Sequence, residues 1–189
     1  MTTRVASLLA RAAIVVAVAA VAPSCLVTST QSFDNPTQTA PFLSAVDAVP
    51  SLTQVILVPN GKGPITFQSR VQSEDGNVDL TAVLIADDID APLSPVLDRQ
   101  TIPADHLNNV GRAVTLTWDP RVPPRRGRPL GKGCHSLTML VTHQFNDYDV
   151  RPKSHDDSDL LVWWLIIGDP ADPTFIDSVK ASGCPAVKR

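Results

Sequence analysis

The fold of this chain is decided by residues 65–72, which read ITFQSRVQ. In this stretch the apolar or small side chains of Ile65, Phe67, Ser69 and Val71 alternate with longer polar ones. A period of two is typical of a β-strand that buries one face and exposes the other. The stretch therefore predicts a strand with one face in a protein core.

Five further strands are predicted outward from this one. The dipeptide Asp75-Gly76 is a hairpin-turn signal, so residues 78–86 are predicted to return beside 65–72. Residues 160–167 read LLVWWLII and are apolar on both faces, which indicates a central strand. The remaining three are predicted at 54–58, 113–118 and 137–145, with weaker candidates at 42–46 and 100–102.

Six to eight short strands separated by turn signals predict an all-β sandwich or barrel. Over residues 48–186 their size and rhythm resemble the immunoglobulin-like sandwich family. This resemblance implies an antiparallel sandwich of about seven strands, with a jelly roll as the alternative.

Composition limits the function classes. The 189 residues are 43% apolar and carry a net charge of −3, so the chain can bury a core. The pI of about 5.7 argues against a dedicated nucleic-acid binder. The 17 prolines against 9 glycines argue against long helices.

The first 24 residues are predicted to be a signal peptide. Arg4 and Arg11 are followed by an uninterrupted apolar run over 12–22. That run has the length of a signal-peptide core, about 7–15 residues, and is shorter than the about 20 that a membrane-spanning helix needs. We therefore expect an exported protein.

The end of this segment, Ala22-Pro23-Ser24-Cys25, resembles the lipobox of bacterial lipoproteins. The resemblance implies that Cys25 becomes the first mature residue and carries acyl chains, which makes the membrane a partner. Leu26 stands where some of these lipoproteins carry an inner-membrane retention aspartate, so the resemblance favours the outer membrane. The alternative is an ordinary signal, cut near Ala22 or Ser24, on a secreted or periplasmic protein.

Two regions are predicted after Cys25. Residues 25–48 are rich in Ser, Thr, Gln and Pro and predict a flexible tether, and residues 49–189 predict the sandwich domain. If Cys25 is acylated, Cys134 and Cys184 remain as one pair. An exported protein is in an oxidising compartment, where this pair would persist as a disulfide. Such a bridge would constrain the unfolded chain by roughly 4 kcal/mol.

A basic loop is the first candidate binding feature. Residues 121–132 read RVPPRRGRPLGK in a chain that is otherwise acidic. A local reversal of charge favours an anionic partner such as lipid headgroups, although a solvated rigid loop is the alternative. The candidate residues are Arg121, Arg125, Arg126, Arg128 and Lys132.

Acidic turns are the second candidate. Calcium prefers six to eight oxygen ligands, often from loops, and two acidic turns could meet at one end of a sandwich. The weak calcium candidates are Asp87, Asp88, Asp90, Asp147, Asp149, Asp156 and Asp157. Acidic turns at strand ends are the alternative, and the sequence predicts no metal or other cofactor site beyond these.

Neighbouring residues of a strand face opposite sides, so one of Trp163 and Trp164 should enter the core and the other could be a surface anchor. His135 and His143 would lie about 26 Å apart on one strand and cannot share a metal. His143 lies in the apolar register and is interpreted as a histidine at the core edge with a hydrogen-bond partner.

No catalytic residue is assigned, because the chain contains none of the hydrolase, metalloprotease or phosphate-loop motifs. The sequence therefore favours a non-enzymatic binding or structural module of the cell envelope, with an envelope protein or a glycan as partner. The alternatives are a secreted enzyme with a site assembled from loops, and a subunit of a cell-surface complex.

Overall fold

The computed structural model describes residues 39–87, 95–105, 111–124, 128–146, 150–154, 156–169, 171–172, 174–175, 177 and 179. The chain contacts divide into two units, Met1–Pro36 and Thr37–Arg189, and all described residues belong to the second. The signal peptide and Cys25 therefore lie outside the described residues. Within them, no helix is both long and apolar enough to cross a membrane.

The described residues form eight β-strands. They are β1 (Phe42–Leu43), β2 (Val55–Val58), β3 (Ile65–Gln72), β4 (Leu80–Ala86), β5 (Val96–Ile102), β6 (Arg112–Trp118), β7 (Gly133–Thr142) and β8 (Ser158–Ile167). All six main predicted strands are present. The two weaker candidates correspond to β1 and β5.

The strands form two sheets that share one core. One sheet has the order β1-β3-β6 and the other the order β2-β8-β7-β4-β5. A single buried cluster contains side chains of both sheets, among them Phe67, Leu116, Leu84 and Trp163. The predicted all-β sandwich is therefore confirmed.

One strand pair departs from the expected antiparallel pattern. Strand β2 runs parallel to β8, with Val55 opposite Trp164 and Val58 opposite Ile167. The chain places β1 in the first sheet and β2 in the second, and the two follow each other without a hairpin between them. The N-terminal segment thus contributes an edge strand to each sheet.

The predicted hairpin at Asp75-Gly76 is wrong. Strand β3 pairs with β1 and β6, whereas β4 pairs with β5 and β7 in the other sheet. Asp75 and Gly76 do form a turn, because the Val78 amide donates to the Asp75 carbonyl at 3.1 Å. The turn therefore carries the chain from the three-stranded sheet to the five-stranded sheet.

Trp163 anchors the centre of the core. Its ring meets the Phe67 ring edge to face, with centroids 5.2 Å apart, and both side chains are fully buried. Its indole nitrogen donates to the Pro50 carbonyl at 2.6 Å, which satisfies the one polar atom of the side chain. This contact joins β8 to the crossing segment between β1 and β2.

Side chains of β5 protect the open edge of β6. The amides of Thr115 and Thr117 donate to the side chains of Gln100 and Asp98 at 2.9 and 2.8 Å. Unpaired edge amides are a template for aggregation, and here side-chain oxygens of the facing sheet satisfy them. The two sheets are therefore linked along this side of the sandwich.

Two predicted boundaries need correction. Leu43 and Ala48, assigned to the tether, are buried in the core, so the folded domain begins before residue 49. Strand β7 begins at Gly133 and therefore contains Cys134, which was expected to precede it. Strand β7 starts in the segment GCHS, which has few apolar residues, so the apolar alternation does not detect its beginning.

Candidate functional site

One end of the sandwich contains a cavity of about 720 Å³, which we call the end pocket. The register places the start of β1, the end of β3 and the start of β6 side by side, since Phe42 pairs with Gln72 and Arg112 with Val71. The β3–β4 turn and Asp105, which follows β5, complete the wall. A cavity of this size is within the range of small-molecule sites.

Arg112 forms part of the end pocket and is only 9% exposed. Its Nη1 donates to the carbonyls of Val78 and Pro103, both at 3.0 Å, while its Nη2 is enclosed and has no hydrogen-bond partner among the described residues. Burial lowers the pKa of the guanidinium, and the carboxylates of Asp105 and Asp79 act in the opposite direction. The two carbonyl contacts of Nη1 therefore fix Arg112 in the wall of the pocket.

A buried Asp–His pair supports the pocket from behind. The Nδ1 of His143 lies 2.5 Å from the Asp157 carboxylate, and the imidazole is 2% exposed. Its Nε2 has no hydrogen-bond partner in the described part of the chain and faces the Asp75 carboxylate across 3.7 Å. Asp75 in turn accepts from the Thr39 amide at 2.9 Å.

These contacts link the β7–β8 connection, the β3–β4 turn and the N-terminal segment into one unit, which we call the Asp157–His143–Asp75 cluster. The interpretation of His143 as a buried histidine with a hydrogen-bond partner is confirmed. Because its ring is enclosed, the cluster positions the Thr39 wall of the pocket and does not itself meet a ligand. The role of the cluster is therefore structural, since it holds three loops together at this end of the sandwich.

The opposite end of the sandwich carries a second histidine. The Nδ1 of His135 lies 3.1 Å from both carboxylate oxygens of Asp87, and its Nε2 lies 3.0 Å from the Gly131 carbonyl. Both ring nitrogens therefore face acceptors, an arrangement that only the doubly protonated ring satisfies. The hydrogen bond to Asp87 raises the pKa of His135 above 6.5, while burial lowers it.

The stability of the domain should depend on pH through His135. A raised pKa in the folded state stabilises the protein fully below pH 6.5, and this contribution is lost as the pH rises through the folded value. We expect the urea midpoint to fall between pH 6.5 and 8.5 in the native protein and to fall less in His135→Gln. A midpoint difference between the two proteins that is constant over this range would contradict the assignment.

The basic loop is only partly free for a partner. The Arg121 guanidinium forms a two-pronged ion pair with Asp119, with distances of 2.9 and 2.7 Å, and lowers the pKa of Asp119 to about 2. Arg125 and Arg126 lie outside the described residues, and Arg128 and Lys132 are exposed. The binding of an anionic partner by this loop stays a prediction. The charge of Arg121 is already paired with Asp119.

The expectation that the two acidic turns meet is wrong. Asp87 follows β4 beside Ser136, whereas Asp157 precedes β8 beside Thr142, so the length of β7 separates them by about 20 Å. Asp157 is bonded to His143 and Asp156 is exposed. The remaining candidates, Asp88, Asp90, Asp147 and Asp149, lie outside the described residues. In the described part of the chain no three potential ligands cluster.

The two tryptophans occupy opposite faces, as predicted. Trp163 is fully buried and is therefore not a surface anchor. Trp164 is half-buried against a small cluster of Ile166, Phe175 and Val179, which also contacts Cys134. The C-terminal segment thus returns over the start of β7.

Gly168 allows Phe175 of the C-terminal segment to pack against the end of β8. A Cβ atom at Gly168 would lie 2.4 Å from the Phe175 ring, and the backbone there has a φ of +149°. Only glycine avoids both the clash and the strain. Cys184 and Cys25 lie outside the described residues, so the disulfide and the lipid attachment stay predictions.

Sequence reasoning missed Arg112 and Asp75 as parts of a site. Arg112 could have been found, because it occupies the buried register of β6 with Val114, Leu116 and Trp118. A charged residue in an apolar register predicts either a buried partner or a site.

Comparison of the chain with protein-family models and with the curated proteins finds no match.

Proposed function

We propose that this protein is an exported, lipid-anchored binding module of a bacterial envelope. Its immunoglobulin-like domain would hold a ligand in the end pocket, and it would not be an enzyme. The proposal combines an export and lipidation signal in the N-terminal sequence with a cavity in the folded domain.

The observation that carries the binding role is the end pocket itself. It is a cavity of about 720 Å³ whose wall contains Arg112, a nine-tenths buried residue that donates to two carbonyls. A preformed cavity of this size with a few converging polar groups is typical of a small-molecule site. The only described imidazole beside it, that of His143, is enclosed, which favours binding over acid–base catalysis.

The anchoring role is supported by the sequence. Residues 1–24 have the features of an export signal, and Cys25 follows a lipobox-like segment. The spacer between Cys25 and the first described residue, Thr39, would place the domain near the membrane surface. We place the protein in the outer membrane on the basis of Leu26.

The proposed disulfide fits the path of the C-terminal segment. Val179 packs in the cluster that contacts Cys134, and Cys184 follows five residues later. A bridge between Cys134 and Cys184 would fasten this segment to β7. It would also leave Cys25 free for lipid attachment.

Hydrogen exchange on the full-length protein tests the binding role. The protein is incubated with fractions of the bacterial envelope, separated into glycan and protein, and exchange is measured by mass spectrometry. We expect slower exchange in residues 72–77, which line the pocket, with one of the fractions. Residues 59–64 at the opposite end serve as the internal control. Unchanged exchange at 72–77 with every fraction would contradict the proposed function.

A further inference from the structure

We infer that the end pocket takes a neutral, hydroxyl-rich ligand, that is, a short segment of glycan. This inference rests on the proposed binding role of the same pocket and adds the chemical class of the ligand. It depends on the charge of the pocket, on its hydrogen-bonding groups and on an aromatic ring at its rim.

The charge of the pocket excludes an anion as the favoured ligand. Its described lining contains two carboxylates, Glu74 and Asp105, and one guanidinium, Arg112. Asp79 lies close enough to raise the pKa of Arg112, so the positive charge already has two acidic neighbours. A phosphate or carboxylate would meet net negative charge, whereas a neutral ligand would not.

The hydrogen-bonding groups of the pocket match hydroxyl groups. Gln72 and Asn77 lie in the lining and carry amides that both donate and accept. Glu74 adds a carboxylate, which only accepts. A sugar hydroxyl donates one hydrogen bond and accepts others, so neighbouring hydroxyls can use both kinds of group. An apolar ligand would leave these groups unpaired.

Phe42 gives the pocket an apolar surface of the right kind. It lines the cavity, and 60% of its surface is exposed, although its strand neighbour Leu43 is buried. An aromatic face is negatively polarised and attracts the C–H groups on one side of a sugar ring. A large exposed aromatic ring beside polar groups is thus suited to a ligand with one apolar face and a hydroxylated edge.

The pocket is held in a binding shape before a ligand arrives. Arg112 bonds the carbonyls of Val78 and Pro103 and so fixes the β3–β4 turn against the end of β5. The Asp75 carboxylate holds Thr39 in place on the other side. A preformed site loses less conformational entropy on binding, which suits the weak contacts that a neutral sugar makes.

The test is an array of neutral and anionic glycans probed with the full-length protein, followed by calorimetry on the best neutral trisaccharide. We expect binding to neutral glycans and little to their sulfated counterparts. Phe42→Ala should weaken the binding about tenfold, and Glu74→Gln should weaken it as well. Leu57→Ala removes a comparable exposed apolar side chain outside the pocket and should leave the affinity unchanged.

The outcomes separate this inference from the proposed function. If no neutral glycan binds, or if Phe42→Ala binds as well as the native protein with the same melting temperature, the inference is overturned. If residues 72–77 are then protected by the protein fraction, the binding role stands with a peptide ligand. If neither class protects them, both proposals fail.

Discussion

Replacing Trp163 with alanine is expected to lower the free energy of unfolding by about 3–5 kcal/mol. The side chain is fully buried, stacks edge to face on Phe67 and donates to the Pro50 carbonyl. Its removal leaves a cavity between the sheets and an unsatisfied carbonyl. Urea unfolding of the mature protein, followed by circular dichroism, measures the loss.

Trp164→Ala is the matched control for this experiment. It removes the same side chain one residue later, where the indole is half-buried against the Ile166 cluster. We expect a loss of about 1–2 kcal/mol, because less apolar surface leaves water on folding. Equal losses for the two variants, or a larger loss for Trp164→Ala, would contradict the placement of Trp163 in the core and of Trp164 on the opposite face of β8.

Replacing Asp157 with alanine is expected to lower the free energy of unfolding by about 3 kcal/mol. The carboxylate is buried and contacts the Nδ1 of His143, and the Asp157 backbone carbonyl accepts from the Thr142 hydroxyl. Removing the carboxylate leaves the enclosed imidazole without its partner. Asp47→Ala removes an exposed carboxylate elsewhere in the domain and should alter stability by no more than about 0.5 kcal/mol.

A double substitution separates the pair from a general loss of packing. If Asp157 and His143 act together, Asp157→Leu combined with His143→Phe should lose less than the sum of the two single variants. Two apolar replacements leave no unsatisfied polar group. Strict additivity of the two losses would show that the contact between Asp157 and His143 contributes little to stability.

The strands could be predicted because each has its own local pattern. The alternation over residues 65–72 appears in the structure as strictly alternating burial of β3, and LLVWWLII lies inside its sheet, as its two apolar faces indicate. The pairing of strands could not be predicted in the same way. Asp75-Gly76 specifies a turn, but the sheet that each flanking strand joins depends on its pairing with strands that are remote in sequence.

The candidate site was harder to predict for a similar reason. Its parts, Thr39, Asp75, Arg112 and Asp157, are separated by long stretches of chain and meet only through the pairing of strands in both sheets. The one local signal was a charged or polar side chain in an apolar register. It identified His143 at the end of β7. It would also have identified Arg112 if the strand predicted at 113–118 had included residue 112.

The measurement that tests the account most directly is the intact mass of the protein extracted from its native membrane, with and without reductant. We predict a chain that begins at Cys25, carries acyl chains and gains two protons on reduction, as one disulfide between Cys134 and Cys184 requires. An unacylated chain recovered from the soluble fraction, or a mass that does not change on reduction, would contradict the lipid-anchored, disulfide-fastened module proposed for this protein.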